Sequence, residues 1–342
     1  MTSHIKDIWI ENYKNSAEVN IQKTKPVPIT ALSENYFEIF EISVKNFQKW
    51  HPGRKIVVYD LGLSAENANF LKENGHIFVY KKFIFENNSK YPEHVKNLDN
   101  FAWRNIIWAE ALTEFGAIIW FDASTKFTRN TDSLVENMQE QGNCIQTFVN
   151  ELEPKISISH GVHPLTYNYL ASNITTHSSP ENMMKSLKGT IIFNSKNCKN
   201  NIMRWSLLCA LNEECWSPTG LIKNCPIGTN IYQPHICHKF DTAIVNMLLV
   251  NTFGKSDEEQ KRYFVGPYNV YANSLIDESE DDDMGEEGAG KSKADALIGQ
   301  SSSKDINYAY IYKVITKHLF NFHVLLFTFI AGNLILFKNK LA

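Results

Sequence analysis

The run Trp120-Phe121-Asp122-Ala123-Ser124-Thr125 sets a carboxylate at the end of an apolar segment and follows it with small residues. A diphosphate, or a divalent metal bound to one, can approach such a backbone closely, and Mg²⁺ and Mn²⁺ both favour oxygen ligands. Read alone, Asp122 could equally cap the turn after its strand. Arg104 falls on the helix before that strand, where it could face solvent, as most arginines do, or reach a phosphate. Further along, Cys237-His238-Lys239-Phe240-Asp241 opens an apolar run, so Asp241 either caps a helix or points into a cleft. His238 could complete a metal site with Asp122, hold a phosphate, or simply pack beside its cysteine. His160 and His163, in His160-Gly161-Val162-His163-Pro164, occupy a loop and are candidates for a general base.

The elements that must carry these residues follow from periodicity. From Pro26 onward, short apolar runs alternate with helical stripes, the pattern of an α/β chain with a mostly parallel sheet flanked by helices. Strands are expected over 27–33, 55–59, 76–83, 117–121, 144–149 and 189–194. Helices are expected over 35–50, 64–74, 100–115, 132–141, 200–211 and 241–251, the first three stopped by His51-Pro52-Gly53, Gly75 and Gly116. The apolar run 117–121 suits a central strand covered on both faces. In open sheets of this kind ligands bind at the carboxyl ends of the strands, which is where Asp122 emerges.

Between Pro28 and Phe127 the chain resembles the nucleotide-binding half of the family-8 type of GT-A glycosyltransferases. The resemblance rests on a first strand running into Ser33-Glu34-Asn35-Tyr36, and on Arg104 upstream of an aromatic-apolar-Asp-x-Asp pattern, here Trp120-Phe121-Asp122-Ala123-Ser124. A closer resemblance is to an invertebrate hexosyltransferase-like family, a domain of unknown function, through VVYDLGLS, KYPEHVKNL, FAWRNIIWAEAL and HKFDTAIVNMLLVN. It implies a GT-A-like (Rossmann-like) fold and transfer of a hexose from a nucleotide-sugar donor, expected to be a UDP-sugar, to a glycan, protein or lipid hydroxyl. Donor-binding roles are implied for Ser33, Asn35, Tyr36, Arg104, Asp122 and Ser124. His160 and His163 are expected on the acceptor side from their loop position alone. The leaving diphosphate would be offset by Arg104 or by a divalent cation, Mn²⁺ or Mg²⁺, at Asp122. Ser124 stands where the family has its second carboxylate, which weakens that cation site. Asp241-Thr242 stands for an Asp-Gln pair, keeping the carboxylate expected to act at the sugar and losing the amide. The same departures motivate a rival expectation, a catalytically degenerate, membrane-tethered protein of this fold that acts by binding.

The bulk composition narrows the field. Thirty-four Lys and Arg against 37 Asp and Glu imply no polyanion partner, so nucleic acid is not expected, and 43% apolar residues suffice for a large core. No Gly-x-Gly-x-x-Gly after a strand, Walker-type loop, His-Glu-x-x-His or Gly-x-Ser-x-Gly occurs, which removes support for dehydrogenase, P-loop kinase, zincin and α/β-hydrolase readings. The six cysteines (144, 198, 209, 215, 225 and 237) include no Cys-x-x-Cys pair. Cystines lead, with buried thiols or a zinc site using His235 or His238 as alternatives. Asn87-Asn88-Ser89 and Asn173-Ile174-Thr175 are glycosylation sequons.

An N-terminal extension (1–25) and the α/β domain (26–272) are expected to precede an acidic, Gly- and Ser-rich linker (273–305) and a C-terminal segment (306–342). Residues 318–337 are twenty in a row without charge, about the length of one bilayer crossing as a helix, and serve either as a membrane span or as an apolar helix docked on the protein. The opening MTSHIKDIWIENYKNSAEV lacks the continuous apolar stretch of a secretory signal, which conflicts with cystines. A Golgi or secretory-pathway membrane protein and a tail anchor with its domain in the cytosol are the competing expectations.

Overall fold

Gly116 ends one helix and Ala117 begins the central strand at once, a junction that only glycine suits: its φ is +74°, and an added Cβ would lie 2.5 Å from a Val19 methyl. The computed structural model describes residues 10–83, 85, 91–148, 156–185, 187–226, 230–254 and 264–265. Its strands are β1 (Val27–Leu32), β2 (Ile56–Asp60), β3 (Phe78–Lys82), β4 (Ala117–Phe121), β5 (Ile145–Phe148), β6 (Gly189–Phe193) and β7 (Phe264–Val265). They form one sheet in the order β3-β2-β1-β4-β6-β5-β7. β1 to β4 are mutually parallel, β6 runs antiparallel to both β4 and β5, and β7 is parallel to β5. The α/β class and the mostly parallel sheet expected from periodicity are therefore what the chain forms.

The longer helices are α1 (Phe37–Trp50), α2 (Ala65–Glu73), α3 (Ala102–Phe115), α4 (Asp132–Gln141), α5 (Arg204–Ala210) and α6 (Phe240–Phe253). Phe37, Phe40, Val44 and Phe47 form the buried stripe of α1, at helical spacings of three and four. Ser64 starts α2 by accepting from the Asn67 N–H at 3.2 Å. Every residue of β4 is at most 1% exposed, because both faces are covered. Phe47 of α1 stacks on Phe121 at 5.3 Å, while Trp108 of α3 meets Trp120 edge-on at 5.9 Å. Adjacent strand residues point to opposite faces, so α1 and α3 lie on opposite sides of the sheet. α5 and α6 pack in turn against α3. The helix expected over 200–211 starts earlier, at Lys196, and passes through a π turn at Lys199–Met203.

The described residues ahead of Pro26 are tied to the segment after β6: Tyr13 is buried and its hydroxyl donates to Asn194 Oδ1 at 3.0 Å. All six cysteines are paired, as Cys144–Cys198, Cys209–Cys215 and Cys225–Cys237. That overturns the thiol and zinc alternatives, since a cystine sulfur has no thiolate to offer a metal. The chain divides into two units, Met1–Leu275 and Ile276–Ala342. The second unit lies outside the described residues, and with it the expected apolar helix and candidate span at 318–337; the linker expected over 273–305 is likewise outside them. Among the described residues no helix is long and apolar enough to cross a membrane.

Three histidines are buried in the neutral form. Burial pushes His51 and His177 down to about 4 and His238 down to about 3, whereas an unfolded histidine titrates near 6.5. Between those values the unfolded chain takes up protons that the native state refuses. Stability is thus fully present above about pH 6.5 and is lost as the pH falls toward 4, by about 2–3 kcal/mol per histidine at pH 4.5. Urea unfolding at pH 7.5, 6 and 4.5 should show the midpoint falling across this window. A midpoint constant from 7.5 to 4.5 would contradict the burial of these rings.

Candidate functional site

The strand order reverses beside β1, whose neighbours are β2 on one side and β4 on the other. In open α/β sheets the carboxyl ends at such a switch point frame the ligand crevice. β1 and β4 run parallel with Ile29 opposite Trp120, so Ser33 and Ser124 leave the sheet at the same edge. Ser33 precedes a short turn of helix, Glu34–Tyr36, and Asn35 and Tyr36 are exposed there. Glu34 is occupied in holding α2, accepting from the Ser64 N–H at 2.7 Å and the Asn67 side chain at 2.9 Å.

Across that edge, Asp122 does not cap its turn with its side chain. The turn is closed by backbone, Thr125 N–H to Asp122 C=O at 2.9 Å, and the carboxylate is left for other partners. Trp120 and Asp122 are two apart in an extended run and share the face covered by α3. Asp122 Oδ1 accepts from the Trp120 indole at 3.0 Å and from Arg104 Nη2 at 2.9 Å. Arg104 Nη1 donates to Asp241 Oδ2, so one guanidinium bridges two carboxylates that are 119 residues apart in the chain. The side chains step inward from Asp122, 21% exposed, to Arg104 at 8% and Asp241 at 4%. The rings of Phe101 and Trp120 stand 5.1 and 5.2 Å from the guanidinium carbon, adding cation–π attraction.

Burial and charge oppose one another at Arg104 and at Asp122. Burial alone would push the Arg104 guanidinium down, but Asp122 and Asp241 outweigh it and hold its pKa up. Burial pushes the Asp122 carboxyl up, opposed by Arg104, the Trp120 N–H and the charge of Lys188. Asp241 lies in the first turn of α6, where the helix dipole favours an anion. Both supporting helices begin on a strained residue: Phe101, just before α3, has φ +58°, and Phe240, at the start of α6, has φ +46°. A bulky residue in the left-handed region costs about 1–3 kcal/mol and persists where its surroundings over-determine it. Here the two rings pack on each other, with centroids 6.4 Å apart.

A divalent cation fits this residue set poorly. The guanidinium occupies the place between Asp122 and Asp241 that a shared metal would need, and position 124 offers a hydroxyl in place of a carboxylate. Among the described residues no three His, Cys, Asp or Glu side chains are grouped to hold a metal. His238, expected as a further ligand, is fully buried and its Nδ1 accepts from the His163 N–H at 3.1 Å. His163 Nδ1 in turn accepts from the Leu165 N–H at 3.2 Å, and both ring nitrogens of the buried His160 face backbone carbonyls, of Gln233 and Pro226. The structure thus brings these histidines together with one another and the backbone, near the Cys225–Cys237 disulfide, and gives them no bond to the carboxylates.

Two contributors escaped the sequence reading. Trp120 could have been found from strand alternation, two residues before Asp122; Lys188, just ahead of β6, carries no local signal. A cavity of about 550 Å³ opens elsewhere, lined by Tyr13, Tyr59, Lys81, Glu110 and Glu114 among others, and includes none of Arg104, Asp122 or Asp241.

The site is thus an ion-paired carboxylate at the switch point of a mostly parallel α/β sheet. In sequence, residues 6–109 match a family described as a protein of unknown function, DUF1647. Among curated proteins none matches the chain. Among solved structures it is similar to an active-site mutant of LgtC, with 13% identity, TM-score 0.40 and 64% of this chain against 69% of that one. It is also similar to the mannosyltransferase Ktr4p from S. cerevisiae (9% identity, TM-score 0.39, 72% against 75%). A third is mouse xyloside xylosyltransferase 1 (10% identity, TM-score 0.38, 71% against 84%).

Proposed function

We propose that this domain transfers a hexose from a nucleotide-sugar, a UDP-sugar, to a hydroxyl acceptor. The observation that carries the reading is the Arg104 bridge between Asp122 and Asp241 at the carboxyl end of the central strand. Asp122 engages Arg104 and Trp120 through one oxygen, Oδ1, and is the most exposed of the three side chains, so it can accept a donor hydroxyl. Glycosyl transfer builds positive charge on the sugar and negative charge on the leaving diphosphate. Asp122, the more exposed carboxylate, suits the first; Arg104, held in place by Asp122 and Asp241, and Lys188 beside Asp122 suit the second. Asp241 holds Arg104 from behind through Nη1 and leaves Nη2 to Asp122.

The test is Asp122→Asn, which keeps the shape and removes the charge. It should lower release of UDP from UDP-hexoses by about 100-fold or more while the urea midpoint stays near that of the parent. Undiminished turnover in that variant would remove Asp122 from the reaction. Ser124 and the engagement of both carboxylates by Arg104 favour a second reading, a binding protein of the same fold. Calorimetry separates the two: UDP-sugar bound without any release of UDP points to binding alone.

A further inference from the structure

Outside this site, the sequon Asn173-Ile174-Thr175 stands on the surface of the folded chain. Asn173 and Thr175 are both exposed, and the short helix that follows, Ile174–His177, is anchored by the fully buried His177 and its bond to the Tyr167 hydroxyl. Asn173 Oδ1 accepts from the Thr175 N–H at 2.9 Å, which leaves Nδ2 as the unused half of the amide. Ser172 before it is tied to Asn251 of α6 at 2.5 Å, so the attachment point is held on the framework. The second observation is independent: all six cysteines are in cystines, a state that persists in oxidising compartments and is rare where glutathione keeps thiols reduced. Such compartments are where sequons meet their glycosyl donor.

From these two observations we propose that Asn173 carries an N-linked glycan and that the domain matures in the lumen of the secretory pathway. In the modification, a bond forms between Asn173 Nδ2 and C1 of an oligosaccharide carried on a lipid pyrophosphate. The C1–O bond to that carrier breaks, the pyrophosphate leaves with the electron pair, and Nδ2 releases one proton. Oδ1 remains a carbonyl oxygen, so the bond to the Thr175 N–H survives and the local fold is undisturbed.

The full chain, produced in a eukaryotic host, is digested with a peptide N-glycosidase in ¹⁸O-water and mapped by mass spectrometry. Peptide mapping keeps Asn173 distinct from the other sequon at Asn87, which lies outside the described residues. Asn173 should appear as ¹⁸O-labelled aspartate in the parent and in Thr175→Ser, and as plain asparagine in Thr175→Ala. All three keep the Asn173 side chain, and non-reducing mapping of the Cys144–Cys198 peptide checks that each has folded. Unmodified Asn173 in the cystine-bonded parent overturns the proposal. So does unmodified Asn173 in a chain whose cysteines are all free thiols, and so does label that survives in Thr175→Ala.

Discussion

Arg104→Met should destabilise the domain by about 3–5 kcal/mol, the cost of removing one partner from a buried ion pair and leaving the other charge uncompensated. The loss falls mainly on Asp241, whose side chain is 4% exposed, against 21% for Asp122. Methionine fills the space and stays apolar among Phe101, Trp103 and Trp120, so a missing charge and not a cavity is what the measurement reads. Adding Asp241→Asn to that variant should recover much of the loss, because the stranded charge is then gone; the two changes are coupled and will not add. The variant also leaves two carboxylates with no cation between them. Excess Mn²⁺ should therefore raise its urea midpoint by mass action while leaving the parent unmoved. If the parent responds to Mn²⁺ as strongly as the variant, the guanidinium does not fill the cation's place.

The second large effect lies in the cystines. In the chain-entropy account a crosslink stabilises in proportion to the logarithm of the loop it closes. Cys144–Cys198 closes a sequence separation of 54 and joins the residue just before β5 to the segment after β6, both cysteines buried. Its replacement by two alanines should cost about 4 kcal/mol, and the same change at Cys209–Cys215, with a separation of 6, about 2 kcal/mol. Denaturant unfolding of the two variants side by side tests the ranking. Equal losses would show that local packing, and not loop length, sets their worth.

The framework was legible because its signals are local. Five apolar residues between Gly116 and Asp122 could only be a covered strand, and the stripe Phe37, Phe40, Val44, Phe47 could only be one face of a helix. Gly189-Thr190-Ile191-Ile192-Phe193 also reads as a strand, yet its antiparallel course was hidden, since a fully buried strand looks the same in either direction. Arg104, Asp122 and Asp241 were each nameable as candidates, but the bridge between them spans 137 residues and depends on α6 packing against α3. The partners of His163 and His238 were hidden for the same reason. Their spacing to a cysteine or a loop says nothing of a backbone bond formed 75 residues away, and that bond is what commits the His238 ring. No composition rule would put Phe101 or Phe240 in the left-handed region, where the residue type is among the least willing. Their conformation is imposed by the layer in which they meet.

Those two phenylalanines act as stops on a rotary setting. With Phe101 turned left-handed just before α3 and Phe240 likewise at the start of α6, neither helix can wind on by a residue at that end. One residue of slippage would swing a side chain by about 100° around its axis. The direction in which Arg104 and Asp241 project is thereby indexed by the backbone at each helix start, and not by their mutual attraction alone.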